Sequence, residues 1–332
     1  MNEERLRRSP NVGIVGSSSL LGKELKELIE DGGFPLGKLI LLETEEYAGL
    51  LQEFAGDIEI TQIIAPETLK DVDIAFFACG PEIMQSYLSS GAAFPELTID
   101  LTQSGHPGTL FLSGLSDSNR LGARGYYLNP HPASIVIVRT LSRLHQAFGL
   151  RSAAITVLEP ASDRGNAGVD ELQEQTVSLL NFQGVESKVF SGQLSFNVLP
   201  ESRASMRTEG QISQQFADLM GETFPRPIIQ ALQAPIFNSH GFSLFTQLLQ
   251  EPGVEEVRAA LASDSAFVVH GNDDEPSPVS VVGTHGIHVG RVQGFSGQPG
   301  TFGLWLVADN MRLAASNAIR TAENIMLAVI GR

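Results

Sequence analysis

The sequence predicts an α/β chain: a doubly wound parallel sheet, then a central α+β region, then a C-terminal helix that returns to the first domain. Three observations carry that expectation. Short apolar runs near residues 12–15, 38–43, 71–80 and 96–102 alternate with segments of helical spacing, and that alternation builds parallel sheets with helices on their faces. Beyond residue 150 the rhythm changes to longer strands and two amphipathic helices. The 332 residues exceed what one core ordinarily serves, so two domains are expected.

The elements follow in order. NVGIVGSSSLLGKELKELIEDGGF opens with Val12, Ile14 and Val15 in a buried strand, turns through Gly16-Ser17-Ser18-Ser19, and repeats helically from Leu20 to Glu30. KLILLE (38–43), DVDIAFFACG (71–80) and ELTIDLT (96–102) are the next strands, with a helix starting near Pro81 after Gly80. In LNPHPASIVIV (128–138) two prolines stiffen the backbone and withhold two N–H donors, which marks a rigid loop at a site with a buried element behind it. SAAITVLEPAS (152–162) is a strand, and residues 168–182 and 203–224 carry helices. Residues 227–249 and 278–294 are strands of a second sheet, and residues 300–330 give one strand and a long helix. The expected domains are 10–130, 131–308 and the terminal helix 309–330.

The formal net charge is −16, which leaves no basic patch for nucleic-acid phosphates. No lysine follows Lys188, so an anion site in the second half would need Arg, His, backbone N–H groups or helix ends. Cys79 is the only cysteine, which excludes an intramolecular disulfide and fits a cytoplasmic home. MNEERLRRSP lacks the apolar stretch of a signal peptide, and no apolar run reaches membrane-span length. The expectation is a soluble cytoplasmic protein.

Gly13, Gly16 and Gly22 sit in a strand–turn–helix setting, where N–H groups at a helix start can hold a pyrophosphate and Ser17, Ser18 and Ser19 add hydroxyls. Ser19 replaces the middle glycine of a G-x-x-G-x-x-G turn, and a plain strand-to-helix link would also suit these residues. Glu43 ends the second strand, where an acid takes ribose hydroxyls; Glu45 and Glu46 follow. Such acids disfavour NADP relative to NAD, although three acids also suit a solvated turn.

VGIVGSSSLLGKEL, FFACG, TIDLT, LNPHPAS, GNAGVDEL, FNVLP, PIFNSHG and LWLVADNMRLAASNA resemble, in this order, the aspartate-semialdehyde dehydrogenase family, and in particular its usg-type paralogues. The resemblance implies a Rossmann-type NADP-binding domain, homodimerisation through the central domain, and a place in amino-acid biosynthesis. It also implies acyl transfer through a cysteine thioester with a histidine base. That chemistry needs cations for a phosphate and a carboxylate.

Matched residue by residue, the family's Asn-Pro-Asn-Cys turn corresponds to Asn129-Pro130-His131-Pro132, so proline stands at the nucleophile's place. Cys79 falls in the strand end beside the cofactor and reads as a small buried residue. Ser134 lies two positions beyond Pro132 with no base evident beside it. His106 and Gln233 replace the substrate-binding arginines, and Glu159 replaces the glutamine that positions the acyl group. The family lysine after FNVLP has no counterpart. His240 retains the base.

On the cofactor side, Glu46 replaces the arginine that pairs with the 2′-phosphate. Ser162 and Gly165 keep the ends of a Ser-Gly-Ala-Gly loop whose interior is Asp163-Arg164, and Asp309-Asn310 keep the pair implied to meet the nicotinamide. NAD, an adenine nucleotide or no cofactor are all left open. His106, His131 and His240 all map around one cleft, and three imidazoles with Glu159 could hold Zn²⁺ or form a pH-responsive anion site; unrelated polar substitutions in a decayed pocket are the reading to set against it. His285 and His288 read as surface or interface residues. Three functional readings stay open: a non-catalytic dimer that binds a ligand or partner protein, an NAD(P)-dependent oxidoreductase of altered chemistry using His240, and a structural partner that binds no small molecule.

Overall fold

In the computed structural model the chain is described over residues 9–200, 207–271 and 274–330. Two units divide it: residues 1–131 with 314–332, and residues 132–313.

The N-terminal unit is a seven-stranded sheet of order β5-β2-β1-β6-β7-β9-β8 in which every pairing is parallel. Its strands are β1 (Val12–Val15), β2 (Leu39–Glu43), β5 (Gln62–Ile63), β6 (Ile74–Phe77), β7 (Leu97–Asp100), β8 (Thr109–Leu110) and β9 (Gly125–Leu128). All residues of β1, β2, β6 and β7 are buried, as strands covered on both faces must be. That continuous burial is why these runs lack alternation in the sequence. β1 pairs with β2 on one side and β6 on the other, so the strand order reverses there and a crevice opens beyond the strands' carboxyl ends.

One face packs on α1 (Leu20–Asp31) and on α8 (Asn310–Ile330), whose Ala315, Ala318, Ile319, Ala322, Ile325 and Met326 join Val12, Ile14, Leu25 and Phe76 in one core cluster. The terminal helix therefore packs on the first sheet, as expected. The other face gathers Val15, Leu42, Phe77 and Met84, the last from α3 (Pro81–Ser89).

The second unit is a mixed sheet of order β11-β12-β10-β13-β16-β15-β14. It comprises β10 (Leu150–Glu159), β11 (Leu199–Pro200), β12 (Ile228–Gln233), β13 (His240–Leu248), β14 (Phe267–Val269), β15 (Ile287–Phe295) and β16 (Gln298–Ala308). Helices α4 (Pro132–Phe148), α5 (Gly165–Leu180), α6 (Arg207–Met220) and α7 (Val254–Ala262) accompany it. Residues 203–206 of the expected helix 203–224 lie outside the described residues. Along β10, Ile155 and Val157 are buried and Ala154 is exposed, the alternation of a sheet with one covered face. Among the described residues no helix is long and apolar enough to cross a membrane.

Two expectations need correction. Residues 278–283 are turns and the strand expected over 278–294 begins only at Ile287. Pro278 cannot donate to a ladder, Ser280 N–H bonds back to Ser277, and Gly283 at φ +74° donates to Asp309 instead. His288, expected at the surface, is buried: its ring meets His270 at 2.8 Å and Thr284 Oγ1 at 2.8 Å. His285 is exposed, as expected.

Candidate functional site

The turn after β1 shows why its glycines are there. Gly16 lies at φ +85°, and a Cβ on it would come within 2.6 Å of Cys79 Cα. A Cβ on Gly22 would stand 2.2 Å from the Gly16 carbonyl oxygen. The two glycines thus let the turn press against β6 and the first helical turn at once. Ser19 caps α1, its hydroxyl accepting from Gly22 N–H at 2.9 Å and donating to Ala78 O at 2.9 Å. A serine at the middle position therefore stabilises the helix start rather than weakening it.

The acidic side chains at the end of β2 separate sharply. Glu45 and Glu46 are exposed, whereas Glu43 is buried. Glu43 Oε1 accepts Ser18 N–H at 2.5 Å and the Ser17 hydroxyl at 3.2 Å. Gln52, from the hairpin of β3 (Leu51–Phe54) and β4 (Asp57–Ile60), donates to both serine hydroxyls at 3.1 and 3.0 Å. A solvated acidic turn describes Glu45 and Glu46 but not Glu43. Beside Glu43 a cavity of about 470 Å³ opens, walled by Ile64, Phe77, Cys79 and Ile83. Gly80 caps α3 in ordinary extended geometry and does not line the cavity. Burial, with Asp100 adding its negative charge, pushes the Cys79 thiol up to about 12, so this sulfur is not a thiolate nucleophile at neutral pH.

The pocket residues expected in the first unit serve its architecture. His106 packs its ring 4.7 Å from Tyr126 and 5.3 Å from Phe94, centre to centre. Among the described residues His106 belongs to no cluster of three metal-capable side chains. Asn129 is buried: Oδ1 accepts Asn317 Nδ2 at 2.7 Å, and its amide reaches Ala314 O at 3.3 Å. It ties α8 to the sheet. His131 closes this unit, and Pro132 opens α4, a first helical position that needs no N–H.

In the second unit the sheet brings three expected residues to one end. Glu159 ends β10 and pairs with Gln233, the last residue of β12, while His240 begins β13 opposite Ala308. His240 is 1% exposed, and its Nε2 lies 2.7 Å from Asp163 Oδ2. Asp163 Oδ1 accepts Asn310 Nδ2 at 2.7 Å; the same amide donates to Ser162 Oγ at 2.9 Å, and Asn310 Oδ1 accepts Ser239 N–H at 3.0 Å. Asn310, expected at a nicotinamide, is therefore a buried hub that fixes the acid beside the histidine. Ser239 sits at φ +72°, a strained conformation held by that bond. Gly165, at φ +65°, turns the chain from the Asp163 loop into α5.

The electrostatics are acidic. Burial lowers the His240 pKa, but Asp163, with Glu159 and Asp309, outweighs it and holds the imidazole above its ordinary value. Burial first, and Asp163 second, raise Glu159 to about 7 although Arg164 stands 3.9 Å away. Gln233 donates to the Glu159 carbonyl at 2.9 Å. Ser134 is buried in the first turn of α4, and its hydroxyl has no partner among the described residues. Asp163, which contacts His240 here, stands in the sequence only as a departure from the family loop. Its signal, an acid four residues after a strand-end acid, is indistinguishable from a surface loop.

Matches to known proteins agree with this geometry. The family described as semialdehyde dehydrogenase, NAD binding domain, matches residues 11–104, and that described as semialdehyde dehydrogenase, dimerisation domain, matches residues 141–313. An aspartate-semialdehyde dehydrogenase of Rickettsia conorii is 25% identical across 95% of this chain and 97% of its own. A USG-1 protein homolog of Pseudomonas aeruginosa is 28% identical across 94% and 96%. The solved structure of a probable aspartate-semialdehyde dehydrogenase from Pseudomonas aeruginosa superposes with a TM-score of 0.85 at 26% identity, covering 95% of this chain and 98% of that one. Aspartate semialdehyde dehydrogenase II from Vibrio cholerae gives 0.84 at 24% identity, covering 95% and 98%. With both halves matched in order, the chain belongs to the aspartate-semialdehyde dehydrogenase family.

Proposed function

We propose that this member of the family binds a nicotinamide dinucleotide but performs no thioester chemistry. The observation that supports this most is Pro132 at the position matched to the nucleophilic cysteine, with Cys79 buried and protonated elsewhere. An imino-acid ring offers no attacking atom. Nor does the chemistry around His240 suit an acyl phosphate, because Glu159, Asp163 and Asp309 place acid where anions would have to bind. Incubation with aspartate semialdehyde, phosphate and either NAD or NADP should give no reduced nucleotide, and intact-mass analysis should find no acyl adduct. A covalent acyl adduct on any side chain would overturn the reading.

The turn at Gly16–Ser19, Glu43 and the adjoining cavity are the groups that would hold a dinucleotide. Bound there, the dinucleotide supplies or accepts a hydride. A second reading is favoured by one observation, the buried Asp163–His240 pair. An imidazole held charged by a neighbouring acid is suited to give a proton to a carbonyl oxygen, which would serve reduction of an aldehyde or ketone without a covalent intermediate. An aldehyde panel tests it. Turnover that disappears in His240→Ala supports the second reading, and no turnover with any of them leaves the first.

Dimerisation through the second unit is part of the same proposal. Ile228, Ala154 and Phe245 align in register across β12, β10 and β13, and all three are exposed. An open apolar sheet face of this kind asks for a second copy. A buried lone cysteine and the biosynthetic character of the family support a cytoplasmic protein.

A further inference from the structure

We propose that His270 and His288 form an acid-sensitive clasp on the segment 274–284, closed while the two rings share at most one positive charge and opened when both are protonated. Three features of the second unit carry it.

The protons of the clasp can be counted. Asp274 Oδ2 lies 2.9 Å from His270 Nδ1, His270 Nε2 lies 2.8 Å from His288 Nδ1, and His288 Nε2 lies 2.8 Å from Thr284 Oγ1. The Thr284 hydroxyl can donate onward to Val281 O at 2.7 Å. Only one proton fits between the rings, since one nitrogen must donate and the other accept. With the Asp274 carboxylate accepting at the far end, the chain is satisfied when both rings are neutral and again when either one is charged. A second charge sets N–H against N–H across 2.8 Å. The pair therefore titrates as a unit, and its last proton breaks it.

The surroundings do little to accommodate that second charge. His288 is 7% exposed and faces Val307 across the sheet. The Asp274 side chain, 78% exposed, is screened by water. Burial first, and the His270 ring second, hold His288 below its ordinary value, while a backbone bond at His285 works the other way. The other charged groups nearby are engaged elsewhere: Arg258 of α7 meets the His270 carbonyl and pairs with Glu255, Asp309 accepts Gly283 N–H, and Arg312 reaches the His285 ring. With its folded-state value lowered, neutral His288 contributes stability above the ordinary histidine range, and that stability is lost as pH falls.

The clasp has something to release. Pro276 is buried, its carbonyl accepts the Trp305 indole N–H at 2.8 Å, and a Cβ on Gly290 would come within 2.7 Å of Pro276 Cδ. The segment thus presses on β15 and β16. At its other end Gly283 donates to Asp309 Oδ2 at 2.8 Å, and Asp309 is one of the acids that raise His240. Opening the clasp bares Trp305 and loosens an acid of the candidate site.

Trp305 is the only tryptophan, so fluorescence of the full chain reads the segment directly. As pH falls from about 8 to about 5, the range in which imidazoles titrate, wild-type emission should move to longer wavelength with far-UV circular dichroism unchanged. His288→Gln and His270→Gln keep a donor and an acceptor but cannot take a proton, and each should hold the emission still. His285→Gln, at an exposed histidine outside the chain of bonds, should shift as wild type does. A wild-type emission that does not move would overturn the proposal, and so would a shift that persists in either clasp variant. Loss of circular dichroism along with the shift would mean that the whole chain unfolds, which overturns it too. If neither variant folds, ring-proton NMR of the wild type decides: His288 should take up its proton together with the emission change, and a His288 titration without that change would refute the clasp.

Discussion

Residue 132 is where the proposal above puts the loss of thioester chemistry, and Pro132→Cys tests it. Proline at the first position of α4 costs the helix nothing, so Pro132→Cys should fold with a melting temperature within a few degrees of wild type. Its thiol, at a helix start, should react with iodoacetamide while Cys79 does not. Dehydrogenase activity on aspartate semialdehyde should nevertheless stay absent, because the acids around His240 remain; robust activity in this variant would show that a single substitution silenced the site. Glu159 carries the pH dependence. Its folded-state pKa of about 7 exceeds the 4.5 of an ordinary glutamate, so the folded protein binds more protons than the unfolded one between those values. Stability from this group is then lost as pH rises from about 4.5 to about 7. Glu159→Gln should flatten that part of a stability-against-pH curve by at most ~3 kcal/mol; an unchanged slope would assign the loss elsewhere.

Elements explain what sequence could and could not reveal. β1, β2, β6 and β7 were legible because strands buried on both faces must be continuously apolar. The β3–β4 hairpin was not, since Leu51, Ile58 and Ile60 are exposed on it and Phe54 is its one buried apolar residue. Residues 278–283 mimicked a strand because VSVV is β-prone, while the pattern said nothing of the Gly283–Asp309 bond that turns the chain. The site was half legible. His240 and the Gly16–Gly22 turn carry local signatures, but the burial of Glu43 and the pairing of Asp163 with His240 depend on residues far apart in sequence. The hold of α8 on its sheet follows the same logic. Asn317 Oδ1 accepts Ser113 N–H at 3.0 Å, and its amide donates to Asn129 at 2.7 Å. Asn317→Ala would leave both partners buried and unsatisfied, so it should destabilise the protein by ~2–3 kcal/mol in urea unfolding. A loss below about 0.5 kcal/mol would mean water replaces the amide.

Across the whole molecule, the proposed dimer would form on the exposed row of Ile228, Ala154 and Phe245. Sedimentation should show a dimer at micromolar concentration, and Phe245→Asp should convert it to monomer, since a charge in an apolar interface goes unpaired. A wild-type monomer would remove the sheet face as the contact. The discontinuous N-terminal unit has a different consequence. Its sheet precedes the second unit in sequence, but the helix row from Ala315 to Met326 that seals one of its faces follows that whole unit. On the ribosome that face waits uncovered until residues 315–326 have been made. A nascent chain that stalls or is clipped before residue 314 therefore emerges as a sticky intermediate, one for chaperones to shield and proteases to clear.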